Sequence, residues 1–235
     1  MSVPIKIDFV SDISCPWCII GLNGLEQAIR RIGDDIDASI TFQPFELNPN
    51  MPAGGQEIGE HIAEKYGSTP EQLAANRGMI RARAAEIGFA MSMAEDRRIY
   101  NSFDAHRLLY WAKEWGGEGV AAKGVAAEGG GHQAALKHRL FEAYFTDGKD
   151  PSDHAVLVEA AAAAGLDGDA ARAVLESGSY ADEVRAAETL WQSRGINSVP
   201  AIVINERYLI SGGQPVEAFE QALRRIAAEA AGVAV

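Results

Sequence analysis

Strand-forming patterns occur only near the two ends of this 235-residue chain, and that distribution constrains its fold more than any other feature. At the front, "IKIDFVSD" alternates Ile5, Ile7 and Phe9 with polar neighbours, which predicts a strand. Apolar residues then recur at helical spacing from Pro16 to Ile32, through Leu22, Leu25 and Ile29, and Gly33 follows as a stop. "ASITFQPFELN" predicts a second strand carrying Ile40, Phe42 and Phe45, with Pro44 pointing to an edge or a bulge. Strand, helix, strand at this length is a βαβ unit, for which parallel pairing is expected. At the far end, residues 201–205 and 208–211 predict a hairpin turning across Glu206-Arg207. A last amphipathic helix runs from 215 to about 231, with Phe219, Leu223 and Ile226 on one face.

Between these ends, from about residue 57 to 194, the patterns are almost entirely helical. Thr69, Pro70 and Gln72 supply an N-cap, a first-turn proline and a capping-box partner for a helix ending near Gly88. "NSFDAHRLLYWAKEW", "ALKHRLFEAYF", "HAVLVEAAAAAG" and "SYADEVRAAETLWQSRG" predict further helices. The expected class is therefore α/β, one βαβ…ββα sheet unit (1–55 and 180–235) interrupted by an all-helical insertion (56–179). The glycine-dense segment 116–131 reads as a loop. It lacks the Gly-Lys-Ser/Thr ending of a phosphate-binding loop.

Composition narrows the partners. A net charge of −12 argues against nucleic acid or an anionic membrane surface, both of which need concentrated Lys and Arg. The first residues, "MSVPIKIDFVSD", lack the basic and apolar regions of a signal peptide, and no apolar run reaches the ~18–20 residues of a transmembrane helix. A cytoplasmic, thiol-reducing setting is expected. The only two cysteines, Cys15 and Cys18, nonetheless sit together in "SCPWC". A structural disulfide there would close too short a loop to stabilise much.

A Cys-x-x-Cys between a strand and a helix has a chemical rationale. At the helix start, unpaired backbone N–H groups and the positive end of the helix dipole favour a thiolate at Cys15. Cys18, one turn on, would lie beneath it, poised to attack a mixed disulfide formed at Cys15. Pro16 fits the first turn, where its missing N–H is not needed. Two other readings stand beside this one: a structural zinc site, which two cysteines and five scattered histidines fill poorly, and a pair of inert buried thiols.

Taken together, C-P-W-C at a helix start, "FELNPNMP", "NSFDAHRLL", "LFEAYFTDGKD", and "GINSVP" leading into a hairpin and "SGGQP" resemble the DsbA family of the thioredoxin superfamily, closest to its FrnE-like subgroup. The resemblance spans essentially the whole chain. It implies a thioredoxin-like fold and dithiol–disulfide exchange or isomerisation on proteins or small thiols. Cys15 would be the attacking thiolate, Cys18 the resolving thiol, and Val199-Pro200 a cis-proline loop facing them. Pro16 and Trp17 would join Val199 and Pro200 in contacting substrate. No metal or nucleotide cofactor is implied; glutathione as a co-substrate and a homodimer both stay open. The glycine-rich segment 116–131 is longer and looser than the family usually carries.

The same superfamily supplies a second reading. Kappa-class glutathione transferases and chromene-carboxylate isomerases share the architecture, but typically carry a Ser in place of the dithiol. A third class is a non-catalytic binding module. Asn101, His106 and Arg107 in "NSFDAHR" are candidates to border the site, with His106 able to stabilise a thiolate or donate a proton. Trp111, Trp115 and Trp191 are expected in the core, and Met79, Met91 and Met93 in packing or on the insertion surface.

Overall fold

In a computed structural model the described residues are 2–52, 54–92, 97–115 and 130–232. The first strand, β1 (Val3–Ser11), leads into helix α1 (Pro16–Ile32), and a 3-10 turn returns the chain to β2 (Ile36–Pro44). β1 and β2 pair in parallel, with Ile5 opposite Ala38, Ile7 opposite Ile40 and Phe9 opposite Phe42. The helical block follows: α2 (Ile58–Tyr66), α3 (Pro70–Glu86), α4 (Phe103–Glu114), α5 (Gly130–Phe141), α6 (His154–Ala163), α7 (Gly168–Ser177) and α8 (Ala181–Ser193). The expected capping box opens α3, with Thr69 and Gln72 each accepting from the other's backbone N–H. The chain then adds β5 (Ala201–Ile204) antiparallel to β1, β6 (Tyr208–Ser211) antiparallel to β5, and a closing helix α9 (Val216–Ala230). The sheet order is β2-β1-β5-β6, so Pro44 does end an edge strand.

Alternation decides what each face of the sheet meets. Ile5, Ile7, Phe9, Ile40, Phe42, Ile202 and Ile204 point to one side, against α1 and α9, which pack on each other there. Val10 and Ala201 point to the other, where Phe45, Trp191 and Ile196 cover them. The first core does not stop at the sheet. It continues without a break into Leu108, Trp111, Leu136, Phe141 and Leu157 of the helical block. One polar clamp fixes the junction: buried Gln133 of α5 donates to the carbonyls of Phe42 (3.0 Å) and Leu109 (3.2 Å) and accepts from the N–H of Phe42 (3.0 Å). It thereby serves as the missing neighbour of the edge strand at that residue.

Four expectations need correction. The helical block holds a two-residue ladder, β3 (Gln56–Glu57) with β4 (Arg98–Ile99), too short to show any periodicity. The predicted helices omit α7, which is opened by Asp167, whose side chain accepts from the N–H groups of Asp169 and Ala170. The hairpin turns on Asn205 and Glu206, both at positive φ (50° and 56°), one residue earlier than expected; asparagine tolerates that conformation well. "ALKHRLFEAYF" is not one regular helix, because α5 gives way to a π-helical turn, Glu142–Thr146. Of the glycine-rich loop expected at 116–131, residues 116–129 lie outside the described residues, and Gly130 and Gly131 begin α5. Met93 also lies outside them. Trp111 and Trp191 are buried, Trp115 is half-buried, and Met79 is exposed.

Candidate active site

The turn between β1 and α1 is assembled by Asp12. Its Oδ1 accepts from the N–H of Ser14 (3.0 Å), and its backbone carbonyl accepts from the N–H of Cys15 (3.3 Å). Cys15 is thus held at the N-cap of α1 in extended conformation, with Pro16 at the first helical position. The N-cap carries no side-chain hydrogen bond, and Cys15 stands at the positive end of the helix dipole. Cys18 begins the next turn, its N–H donating to the Cys15 carbonyl (3.0 Å).

Across from Cys15 lies the Val199-Pro200 peptide bond, which is cis. The Cys15 thiol sits 3.7 Å from the Val199 carbonyl oxygen. Pro200 in turn accepts at its carbonyl from the N–H of Gly212 (2.8 Å), tying the proline loop to the "SGG" turn. Two glycines allow this closeness. A Cβ on Gly21 of α1 would stand 3.2 Å from Pro200 Cγ and from Gly213 Cα, and one on Gly213 would stand 2.9 Å from the Trp17 carbonyl. Trp17, Pro16 and Val199 are half-buried around this mouth, and Pro200 is buried. The two sulfurs differ in access: Cys15 is 4% exposed and Cys18 is fully enclosed.

Beneath the mouth lies a buried cluster of titratable groups, of which the sequence points to Cys18 and His106 but not to Asp12 or Lys137. Asp12 is fully buried. Burial alone would push its carboxyl up, but His106, the N–H of Leu47 on Oδ2 (2.6 Å) and the N–H of Ser14 together hold it down at about 2. His106 Nε2 stands 3.9 Å from Asp12 Oδ1, too far for a hydrogen bond and an ion pair only when the imidazole is protonated. Lys137 of α5 is also fully buried. Its ammonium lies 4.9 Å from the ring centre of Phe141 and 5.9 Å from that of Phe42. Burial pulls Lys137 down to about 8, opposed by Cys18, Asp12 and Cys15. Burial pushes the Cys18 thiol well above its ordinary value, and the Cys15 sulfur adds to this, while Lys137 pulls the other way.

His106, predicted as a site residue, therefore does reach the site, though as a buried group behind Asp12. Its two companions have other partners. Asn101 Oδ1 caps the first turn of α4 by accepting from the N–H of Phe103 (2.8 Å). Arg107 donates to Asp104 and to the carbonyls of Val174, Leu175 and Ser179 at the end of α7, bolting the helical block together. Neither bond set involves the cysteines. Lys137 did carry a signal in the sequence. It occupies a core position at helical spacing from Leu140, Phe141 and Tyr144, where a lysine is out of place. Among the described residues, no group of three or more His, Cys, Asp or Glu side chains could hold a metal ion, and no helix is long and apolar enough to cross a membrane.

Residues 6–224 match the model of the DSBA-like thioredoxin domain. The chain belongs to that family. A solved structure described as a probable DsbA oxidoreductase of Streptomyces coelicolor is 33% identical, with a TM-score of 0.81 and coverage of 98% of this chain and 92% of that one. The uncharacterized protein YwbO of Bacillus subtilis is 25% identical over 224 residues, 95% of this chain and 96% of its own. A 2-hydroxychromene-2-carboxylate isomerase also shares the fold, at 15% identity and a TM-score of 0.65 over 98% of this chain and 100% of that one. At that identity the likeness is one of fold alone.

Proposed function

We propose that this DsbA-like chain is a cytoplasmic thiol–disulfide oxidoreductase acting on protein or small-molecule disulfides, with Cys15 as nucleophile and Cys18 as resolving thiol. The observation that carries the reading is the asymmetry of the two sulfurs: Cys15 at the helix N-cap beside the Val199 carbonyl, Cys18 enclosed beneath it. In the reducing direction the Cys15 thiolate attacks one sulfur of a substrate disulfide. A Cys15–substrate bond forms, the substrate S–S bond breaks, and the departing sulfur leaves as a thiolate that takes a proton from water. Cys18 then attacks Cys15, releasing the second substrate sulfur as a thiol. The substrate gains two electrons and the cysteine pair loses two. Oxidation of a substrate dithiol is the reverse path.

Trp17, Pro16, Val199 and Pro200 form the rim that an incoming chain would touch. Trp17 offers a flat apolar surface, and the Val199 carbonyl an acceptor for a substrate N–H. Glutathione is the small thiol we would test first as co-substrate. Two cysteines at the helix start favour exchange over glutathione-assisted isomerisation, which does not need a resolving thiol. The test is a trap: Cys18→Ser protein is mixed with oxidised glutathione and with an oxidised protein substrate, and adducts are read by mass spectrometry. A stable adduct on Cys15 is expected. Absence of any adduct, with the protein folded and reduced, would overturn the reading.

A further inference from the structure

The four-stranded sheet ends at β6, an edge strand that carries no charged residue and no proline. The N–H of Gly212 donates to the Pro200 carbonyl (2.8 Å), and Ile210 stands opposite Ile202. Bonded and non-bonded pairs alternate along an antiparallel ladder, so Ile210 turns its backbone groups to β5 and Leu209 turns its own outward. The Leu209 side chain lies on the same face as Val203, its cross-strand partner, and is 54% exposed. Both line a groove of about 420 Å³ between the sheet and the end of α8, where Trp191 and Ile196 supply the rest of the apolar wall. Edge strands are ordinarily protected by charge, proline or a covering element, and β6 has an apolar side chain there instead.

Two cations line the same groove. Arg194 stacks over the Trp191 ring and Arg207 over the Tyr208 ring, each 5.1 Å from the ring centre. Among the described residues neither guanidinium has a carboxylate partner, although Glu206 is part of the lining. Two other surface grooves, of about 200 and 190 Å³, have their cations neutralised in place: Arg31 by Glu217, Arg83 by Glu86, Arg139 by Glu142 and Lys149 by Glu159. In a chain of net charge −12, carboxylates are not scarce. Stacking orders a guanidinium while leaving its fork of donors open to an incoming carboxylate. We propose that β6 and this groove form a docking surface for an extended acidic segment of another protein, which adds to the sheet as a further strand. Main-chain bonds at Leu209 hold the segment. Residues two apart on it face the groove together: an apolar side chain over Leu209 and Val203, flanked by carboxylates that pair with Arg194 and Arg207. The surface makes no use of Cys15 or Cys18, so it stands or falls apart from the exchange chemistry.

The test titrates fluorescein-labelled heptapeptides with the full chain and reads fluorescence anisotropy. Thr-Glu-Thr-Leu-Thr-Glu-Thr places both acids and the leucine on one face of a strand. Thr-Thr-Glu-Leu-Glu-Thr-Thr has the same composition with the acids on the opposite face, and Thr-Lys-Thr-Leu-Thr-Lys-Thr reverses the charge. The first should bind about fivefold tighter than either of the others, and should weaken as salt is raised. Arg194→Gln and Arg207→Gln should each weaken it by about fivefold, the upper range for an exposed ion pair. Leu209→Pro removes the outward N–H without touching a bond to β5, and should abolish binding in a folded protein. Should that variant fail to fold, Leu209→Glu, which sets a like charge in the groove, carries the same expected loss. No binding of the first peptide at up to about 1 mM protein would overturn the proposal. Equal binding of the first two peptides, or unchanged affinity in both arginine variants, would overturn it as well.

Discussion

The mouth of the site and the chamber beneath it are built from different materials. The mouth is backbone and small residues: a helix N-cap, a proline loop, the glycines at 21 and 213, and one thiol at the opening. The chamber is made of titratable side chains held away from water: Asp12, His106, Lys137 and the second thiol. A surface that meets many partners is served by backbone groups, which recognise an extended chain without reading its side chains. Control of ionisation needs the opposite, fixed charges in a low-dielectric enclosure where each counts for more. The two regions meet in the Cys15–Cys18 turn.

The sharpest way to break this division is Cys15→Ser. If the mouth holds the only accessible nucleophile, exchange should fall on the order of 10³-fold or more, because an enclosed Cys18 cannot substitute for it. A turnover assay with insulin or Ellman's reagent checks this, and a loss below tenfold would erase the distinction between the sulfurs. Next in size is Asp12→Asn, which strikes the chamber. A carboxyl held at about 2 against its ordinary 3.8 stabilises the fold by about 2.5 kcal/mol at neutral pH. For an acid with a depressed folded-state value, that contribution is present above about pH 4 and lost as pH falls toward 2. Denaturant melts of wild type and variant should therefore differ by roughly 2 kcal/mol at pH 7 and converge near pH 2. A gap that is constant with pH would show that Asp12 acts only through packing. The smallest effect is expected at the mouth. Gly21→Val should destabilise by about 1–2 kcal/mol, since its side chain meets Pro200 and Gly213 at the distance where real contacts are already tight. Calorimetry checks the stability, and the rate of adduct formation at Cys15 should drop as the proline loop is pushed away.

The mouth was legible in the sequence for the same reason that it is built of backbone. Cys15, Pro16 and Cys18 sit in a strand-to-helix transition whose periods of two and then 3.6 can be read directly, and Pro200 immediately precedes a strand. Local rules suffice where the structure is local. The chamber was mostly hidden. Asp12 looked like the polar end of a strand, and its role depends on the N–H of Leu47, which a second strand brings back to it. Lys137 sat inside a predicted helix, and only its place in the apolar stripe marked it as unusual. Nothing in either segment says that α5 would lie over the β2 edge, an arrangement fixed by Gln133 and by a core that runs through both parts of the molecule. His106 could be named as a candidate because it lay in a recognisable stretch. Arg107, one residue on, points to the end of α7, a separation of roles that only helix packing decides.

The most direct test of the account is a competition between the two sulfurs of the reduced wild-type protein. A sub-stoichiometric pulse of iodoacetamide at several pH values from 5 to 9, followed by peptide mass spectrometry, reports which cysteine is carbamidomethylated first. The account predicts modification at Cys15 across the range, with Cys18 labelled only on unfolding, because Cys18 is enclosed and its thiol is pushed up by burial. Labelling of Cys18 ahead of Cys15 in the folded protein would contradict it.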